Sequence, residues 1–229
     1  MKSFVIYIKG HKESEKQAAE AIASFERYGW SVELKEGLTP NTVEDIKEYK
    51  QYSIVKNSRL LNFKEENYRR YLTKVSCAMN HIRFFQEVID AGEPMIFLEH
   101  DALCTTVWED YDFEEYLLLN SEHVFRPPNK LGLAQFRKYI WPGFGVKDFP
   151  TNYPLKYYRE NIWKGSHMAP GTGAYAITPA GAKKMLLSIE KYGYDQSDFM
   201  INSSNVRMQY VNPSPVRFNK VNLSTSYGV

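Results

Sequence analysis

Hydrophobic positions fall along the chain as short continuous runs separated by helical stripes. Phe4 to Ile8 is an apolar run rich in β-branched and aromatic residues, as buried strands are. Residues 12–28 place Ala18, Ile22, Phe25 and Tyr28 at helical spacing, and Gly29 stops that helix. A second strand is expected over Trp30 to Leu34, which completes a βαβ unit and favours a sheet with helices on its faces. Residues 40–66 are polar and turn-rich, with one short helix expected around 42–50. A long helix is expected from about 67 to 91, with Leu72, Val75, Met79, Ile82 and Val88 on one stripe and Gly92 at its end. Met95-Ile-Phe-Leu98 then reads as a central parallel strand. Residues 127–170 are long, irregular and rich in Pro, Tyr, Trp and Lys. Ala174 to Ile177 reads as a strand, and Thr178 and Pro179 cap a helix to about 191 that Gly193 closes. The tail, 206–229, reads as short strands broken by Pro213 and Pro215.

Composition narrows the class. The 229 residues are 43% hydrophobic and 24% charged, enough for one core and too apolar for a disordered chain. No apolar run approaches membrane-spanning length, and the run at Phe4–Ile8 is too short for a signal peptide, so a cytoplasmic protein is expected. Two cysteines, Cys77 and Cys104, suit a reducing compartment. The net charge of +2 conceals segregation, with +3 over residues 1–75, −9 over 76–126 and +8 over 127–229. Acidic middle and basic end suit carboxylates that hold a cation beside basic groups that meet a polyanion, or simply segregated solvated surfaces. One unit is expected, its halves 1–126 and 127–229 serving two sides of a site.

Candidate chemistry gathers at the ends of the apolar runs. Glu99 and Asp101, two positions apart at a strand end, can bend toward one hard cation such as Mg²⁺ or Mn²⁺. Open α/β sheets bind ligands at that end of their strands. Gly171-Thr-Gly-Ala-Tyr-Ala176 imitates a dinucleotide fingerprint, but a strand follows it where a helix is required, so its glycines instead permit a close backbone approach. Cys77 with His81, and His100 with Cys104, form the weaker alternative of a zinc site. Asp195 and Asp198 follow a helix stop and are read as turn or capping aspartates, or as a general base or metal ligand at a cleft edge. Asp198, with apolar Phe199 to Ile201 behind it, reads as the anchored one and Asp195 as the more exposed.

Three ordered blocks resemble glycosyltransferase family 25, which includes the lipooligosaccharide galactosyltransferases. Thr73 to Ile82, the turn Gly92-Glu-Pro and Met95 to Leu103 are similar to its Cys-x-x-Ser-His, Gly-x-Pro and Glu-Asp-Asp block. Pro170 to Leu186 resembles its second block and Asp198 to Ile201 its third. Asn80 stands where the family usually has Ser, and His100 replaces the middle acid.

The resemblance implies a GT-A-type, Rossmann-like α/β fold with a mostly parallel sheet flanked by helices. It implies transfer of a sugar, with inversion, from a nucleoside diphosphate sugar to a hydroxyl. Glu99 and Asp101 would hold the metal, Mn²⁺ or Mg²⁺, with His100 a further candidate ligand that favours Mn²⁺. His81, Gly171, Thr172, Gly173 and Tyr175 fall on the donor side, His81 as a buttress, and Asp198 or Asp195 takes the acceptor proton. The basic run Arg137, Lys138, Lys147, Lys156, Arg159 and Lys164 would meet phosphate or acceptor. A saccharide is the family's usual acceptor, and peripheral membrane contact through a basic surface is compatible with it. The aromatic and basic mixture over 137–164 also suits modified DNA, as in phage-type transferases that act on hydroxymethylated bases. A non-catalytic nucleotide-sugar-binding protein is the reading from another class.

Overall fold

The computed structural model describes residues 1–125, 143–152 and 155–219. Its centre is a seven-stranded sheet in the order β2-β1-β3-β7-β5-β8-β6. The strands are β1 (Lys2–Tyr7), β2 (Val32–Glu36), β3 (Met95–Glu99), β5 (Tyr116–Leu118), β6 (Gly145–Asp148), β7 (Ala174–Ile177) and β8 (Met208–Asn212). Strands β1, β2 and β3 pair in parallel, β7 runs against both β3 and β5, β8 is parallel to β5, and β6 is antiparallel to β8. Five strands therefore point one way and two the other, a mixed and mostly parallel sheet. Strand β5 lies between β7 and β8, so the two halves of the sequence interleave in one sheet.

The alternation of side chains explains the apolar runs. Met95 and Phe97 of β3, with Tyr175 and Ile177 of β7, face a cluster built on α3 (Arg59–Glu66), α4 (Tyr68–Ala91) and α6 (Pro179–Tyr192). Ile96 and Leu98, with Ala174 and Ala176, face a second cluster built on α1 (Lys12–Arg27) and a two-stranded ribbon, β4 (Ala102–Cys104) with β9 (Val216–Phe218). Strands covered on both faces lose the polar alternation that marks a half-exposed sheet. Each fully buried large apolar side chain contributes roughly 1.5–3 kcal/mol, so these two layers carry the fold.

Local signals set the helix ends. Asn67 accepts a hydrogen bond from the Arg70 amide to open α4, and Thr178 accepts one from Gly181 to open α6. The polar stretch 40–66 holds more structure than expected: a 3₁₀ turn over Val43–Asp45, then α2 (Lys47–Gln51), then α3. In α3 only Leu60 and Phe63 are buried, too short a stripe to stand out in sequence. Strand β5 is also unexpected, being three residues long after an acidic run, yet its residues are wholly buried. In the stretch 127–170, Arg137 and Lys138 lie outside the described residues, and the described part contains the edge strand β6. Ser121–Val124 form α5 and Ser197–Met200 form α7. Among the described residues no helix is long and apolar enough to cross a membrane.

Candidate functional site

At the carboxyl ends of β1, β2 and β3 lies a recess of about 100 Å³. Its walls are Tyr7 and Ile8, the Gly37-Leu38 turn, Ser76, Cys77 and Asn80 of α4, and Glu99, His100 and Asp101. Asn80, at the position where the resemblance expects Ser, ties two elements together. Its Oδ1 accepts the Leu38 amide at 2.8 Å and fixes the turn against α4.

Glu99, at the tip of β3, is reached by water within the recess yet is surrounded by protein. Enclosure, the Asp101 charge and the Asp198 charge raise its carboxyl well above the ordinary range, and Lys74 opposes them. Burial likewise raises Asp101, to about 6, and its Oδ1 is buried with no hydrogen-bond partner. Glu99 therefore senses two further carboxylates, and the Asp101 oxygen among them has no donor. His100 lines the same recess, and burial followed by the His11 charge lowers its pKa.

The Gly171-Thr-Gly173 turn joins the two acidic sides. The amides of Gly171 (2.9 Å) and Thr172 (3.2 Å) and the Thr172 hydroxyl (3.2 Å) all donate to Asp198 Oδ1. Among the described residues none donates to Oδ2, so the turn fixes Asp198 by one oxygen and leaves the other. At Gly173 a Cβ would lie 2.7 Å from Glu99 Oε2 and 2.7 Å from Phe218 Cζ. At Gly171, with φ +80°, it would lie 2.9 Å from the His123 ring. Both glycines are demanded by close approach, in agreement with the sequence pattern.

Behind the turn, Tyr175 and His81 form a buttress. His81 Nδ1 bonds the Tyr175 hydroxyl at 2.8 Å and its ring stacks on Phe97 at 4.2 Å. Burial pushes the His81 pKa down to about 3, so the ring is neutral and is packed away from any proton transfer to substrate. Cys77 is a thiol, its pKa raised to about 11 by burial and then by Glu99. Among the described residues no three His, Cys, Asp or Glu side chains converge as a ready-made metal-binding group. His81 is held by Tyr175, and Cys104 Sγ contacts the Thr106 carbonyl, so neither is poised for a shared zinc.

Asp195 is not the exposed residue that its polar neighbours suggest. It is fully buried: Oδ1 accepts the Ser58 hydroxyl (2.6 Å) and the Gln196 amide (2.8 Å), and Oδ2 accepts the Tyr157 hydroxyl (2.7 Å). Burial raises its pKa against the pull of those donors and Arg159. Asp195 is thus a buried clasp among three segments, its carboxylate fully engaged by Ser58, Tyr157 and Gln196. Asp198 also differs from a first-turn cap: it is the second residue of α7, with its carboxylate turned to the 171–172 backbone. None of Lys147, Lys156, Arg159 and Lys164 lines the recess.

Sequence reasoning misses Lys74, Asn120, His123 and Phe218. Asn120 Nδ2 holds the Gly171 carbonyl at 2.7 Å. Asn120 and His123 follow β5, so recognition of that strand would expose them. Phe218 arrives through β9, one of the short tail strands, whose partner β4 is hidden in the sequence.

The model of glycosyltransferase family 25 (LPS biosynthesis protein) matches residues 1–201 of 229, and the chain belongs to that family. No curated protein matches it.

Proposed function

We propose that this glycosyltransferase moves a hexose from a nucleoside diphosphate donor, of the UDP type, to the hydroxyl of a saccharide, with inversion at the anomeric carbon. The observation that carries the reading is the meeting of Glu99 and Asp198 at the Gly171–Gly173 turn, with the Asp101 charge acting on Glu99, at the strand ends where α/β sheets receive nucleotides. The nucleotide occupies the recess beside α4, and the sugar extends toward the glycine turn, whose missing Cβ atoms let Glu99 and Phe218 close in on the backbone. Asp198, fixed through Oδ1, takes the acceptor proton on Oδ2. The acceptor oxygen attacks the anomeric carbon as the bond to the diphosphate breaks, and the electron pair leaves with the diphosphate. Lys74, the cation that Glu99 senses, offsets part of that charge.

The carboxylates fit a divalent ion. The orphaned, buried Asp101 Oδ1 and the mutual repulsion of Glu99 and Asp101 are what an absent cation would relieve. Mg²⁺ and Mn²⁺ in phosphate sites need only one or two protein carboxylates, with substrate oxygens as further ligands. Glu99 and Asp101 would hold Mn²⁺ or Mg²⁺, with His100 beside them, and the ion would supply charge neutralisation for the leaving diphosphate.

The test is a donor screen in which purified protein meets UDP-, GDP- and CMP-sugars, with and without Mn²⁺, read as nucleotide release. Release from one donor class, dependent on Asp101, supports the proposal. Binding of a nucleotide sugar with no release under any condition overturns it in favour of a non-catalytic binding protein.

A further inference from the structure

The family match ends at residue 201, yet the chain continues into the site. Strand β9 pairs with β4, Ala102 opposite Phe218, and the Asn219 amide donates to the Asp101 carbonyl at 2.9 Å. The point 2.7 Å from Glu99 Oε2, where Gly173 has no Cβ, is also 2.7 Å from Phe218 Cζ. Phe218 is half-buried, and the exposed His123 ring meets it edge to face at 5.0 Å and stands 2.9 Å from where a Cβ on Gly171 would lie. Neither residue lines the nucleotide recess. The acidic centre thus has two sides: the recess, and an aromatic corner formed by the C-terminal ribbon and α5.

We propose that Phe218 is the platform for the acceptor's sugar ring, with His123 at its margin, and that the C-terminal ribbon sets acceptor specificity. This rests on the transferase reading above. A pyranose presents a face of C–H groups, which an aromatic ring covers well, and its rim of hydroxyls needs polar partners. A ring laid on Phe218 brings a hydroxyl toward Glu99 and Asp198 while His123 meets the rim. An aromatic face flanked by the Glu99 carboxylate and the His123 imidazole is the chemistry that receives a neutral saccharide.

The experiment uses the full chain, the donor found in the screen, and p-nitrophenyl glycosides of glucose, galactose and N-acetylglucosamine as acceptor probes. Nucleotide release is measured with and without each glycoside for the parent, Phe218→Ala, Phe218→Leu and Phe218→Tyr, with melting temperatures beside them. The expected result is a glycoside effect on the parent rate, a KM for glycoside at least 10-fold higher in Phe218→Ala and Phe218→Leu, and recovery in Phe218→Tyr. Donor KM should stay within about twofold while glycoside KM rises, a split that a merely structural role would not produce. The proposal is overturned if Phe218→Leu matches the parent toward glycosides, if donor KM rises with acceptor KM, or if no glycoside alters the parent's release. In each of those cases release by the parent leaves the transferase reading standing. A parent that releases no nucleotide from any donor removes both.

Discussion

Two hollows among the described residues differ in their charged groups, and the smaller holds the unpaired carboxylates. The groove between α6 and residues 203–208 has a volume of about 940 Å³, against about 100 Å³ for the recess. In the groove the cations are paired: Lys184 with Glu115, and Arg207 with Glu114 and Asp148. In the recess, Glu99 and Asp101 repel one another and an Asp101 oxygen has no partner. The aspartates repeat the contrast. Asp195 has its donors and is closed, whereas Asp198 is held by one oxygen and open at the other. Size locates space, and unpaired charge marks the candidate site.

The strongest way to break this comparison is to neutralise the recess. Asp101→Asn and Glu99→Gln should each lower sugar transfer by about 10³-fold, measured as nucleotide release, since each removes charge that the transition state uses. Thermal stability should hold or rise, because a repulsion is removed. Unchanged release in either variant would remove that residue from the chemistry. Next in size, Asp195→Ala should destabilise the protein by about 3 kcal/mol in urea unfolding, because Ser58, Tyr157 and the Gln196 amide lose a buried acceptor. An Asp195→Ala protein of parental stability that fails in transfer would restore Asp195 as catalytic. Asp198→Asn keeps an oxygen for Gly171 and Thr172, so its stability should survive while transfer falls about 10²-fold. Parental transfer by Asp198→Asn would refute the assignment of the base.

How far the sequence reaches depends on whether a signal is local. β3, β7, α4 and α6 are legible because periodicity, caps and apolar runs act within one element. The short tail strands are legible from the breaks at Pro213 and Pro215, but β4 and β5 are not, since three-residue strands carry no period and exist only through their pairing partners. The same limit governs the site. Glu99, Asp101 and the glycine turn announce themselves by residue type at an element's end. Asp195 misleads because its burial depends on Ser58 and Tyr157, 137 and 38 residues away. Phe218 needs the ribbon to be known first.

His81 offers a pH test of the buttress. Its folded pKa is about 3, against an ordinary 6.5. Between those values the unfolded chain binds a proton that the folded protein refuses. The contribution to stability is therefore whole above pH 6.5 and is lost as pH falls through that window, by about 2 kcal/mol at pH 5. Glu99 and Asp101, with raised pKa values, act in the opposite sense, so the informative quantity is the difference between parent and His81→Gln. The parent's stability from pH 7 to 5 should fall more steeply than the variant's. Equal slopes would mean that His81 is not held neutral.

The smallest expected effect tests the other hollow. Lys184 is exposed and pairs with Glu115, whose pKa falls below the ordinary value although burial alone would raise it. Glu115 also accepts the Arg207 amide at 2.7 Å, so Lys184→Ala leaves it with a donor. A partly exposed pair of this kind contributes at most about 1 kcal/mol. Lys184→Ala should therefore soften stability by no more than that and leave both donor KM and nucleotide release unchanged. A fall in release of tenfold or more, with stability intact, would show that the groove feeds the reaction. The contrast between a hollow of paired charges and one of unpaired carboxylates would then fail, because a paired charge would be serving catalysis outside the recess.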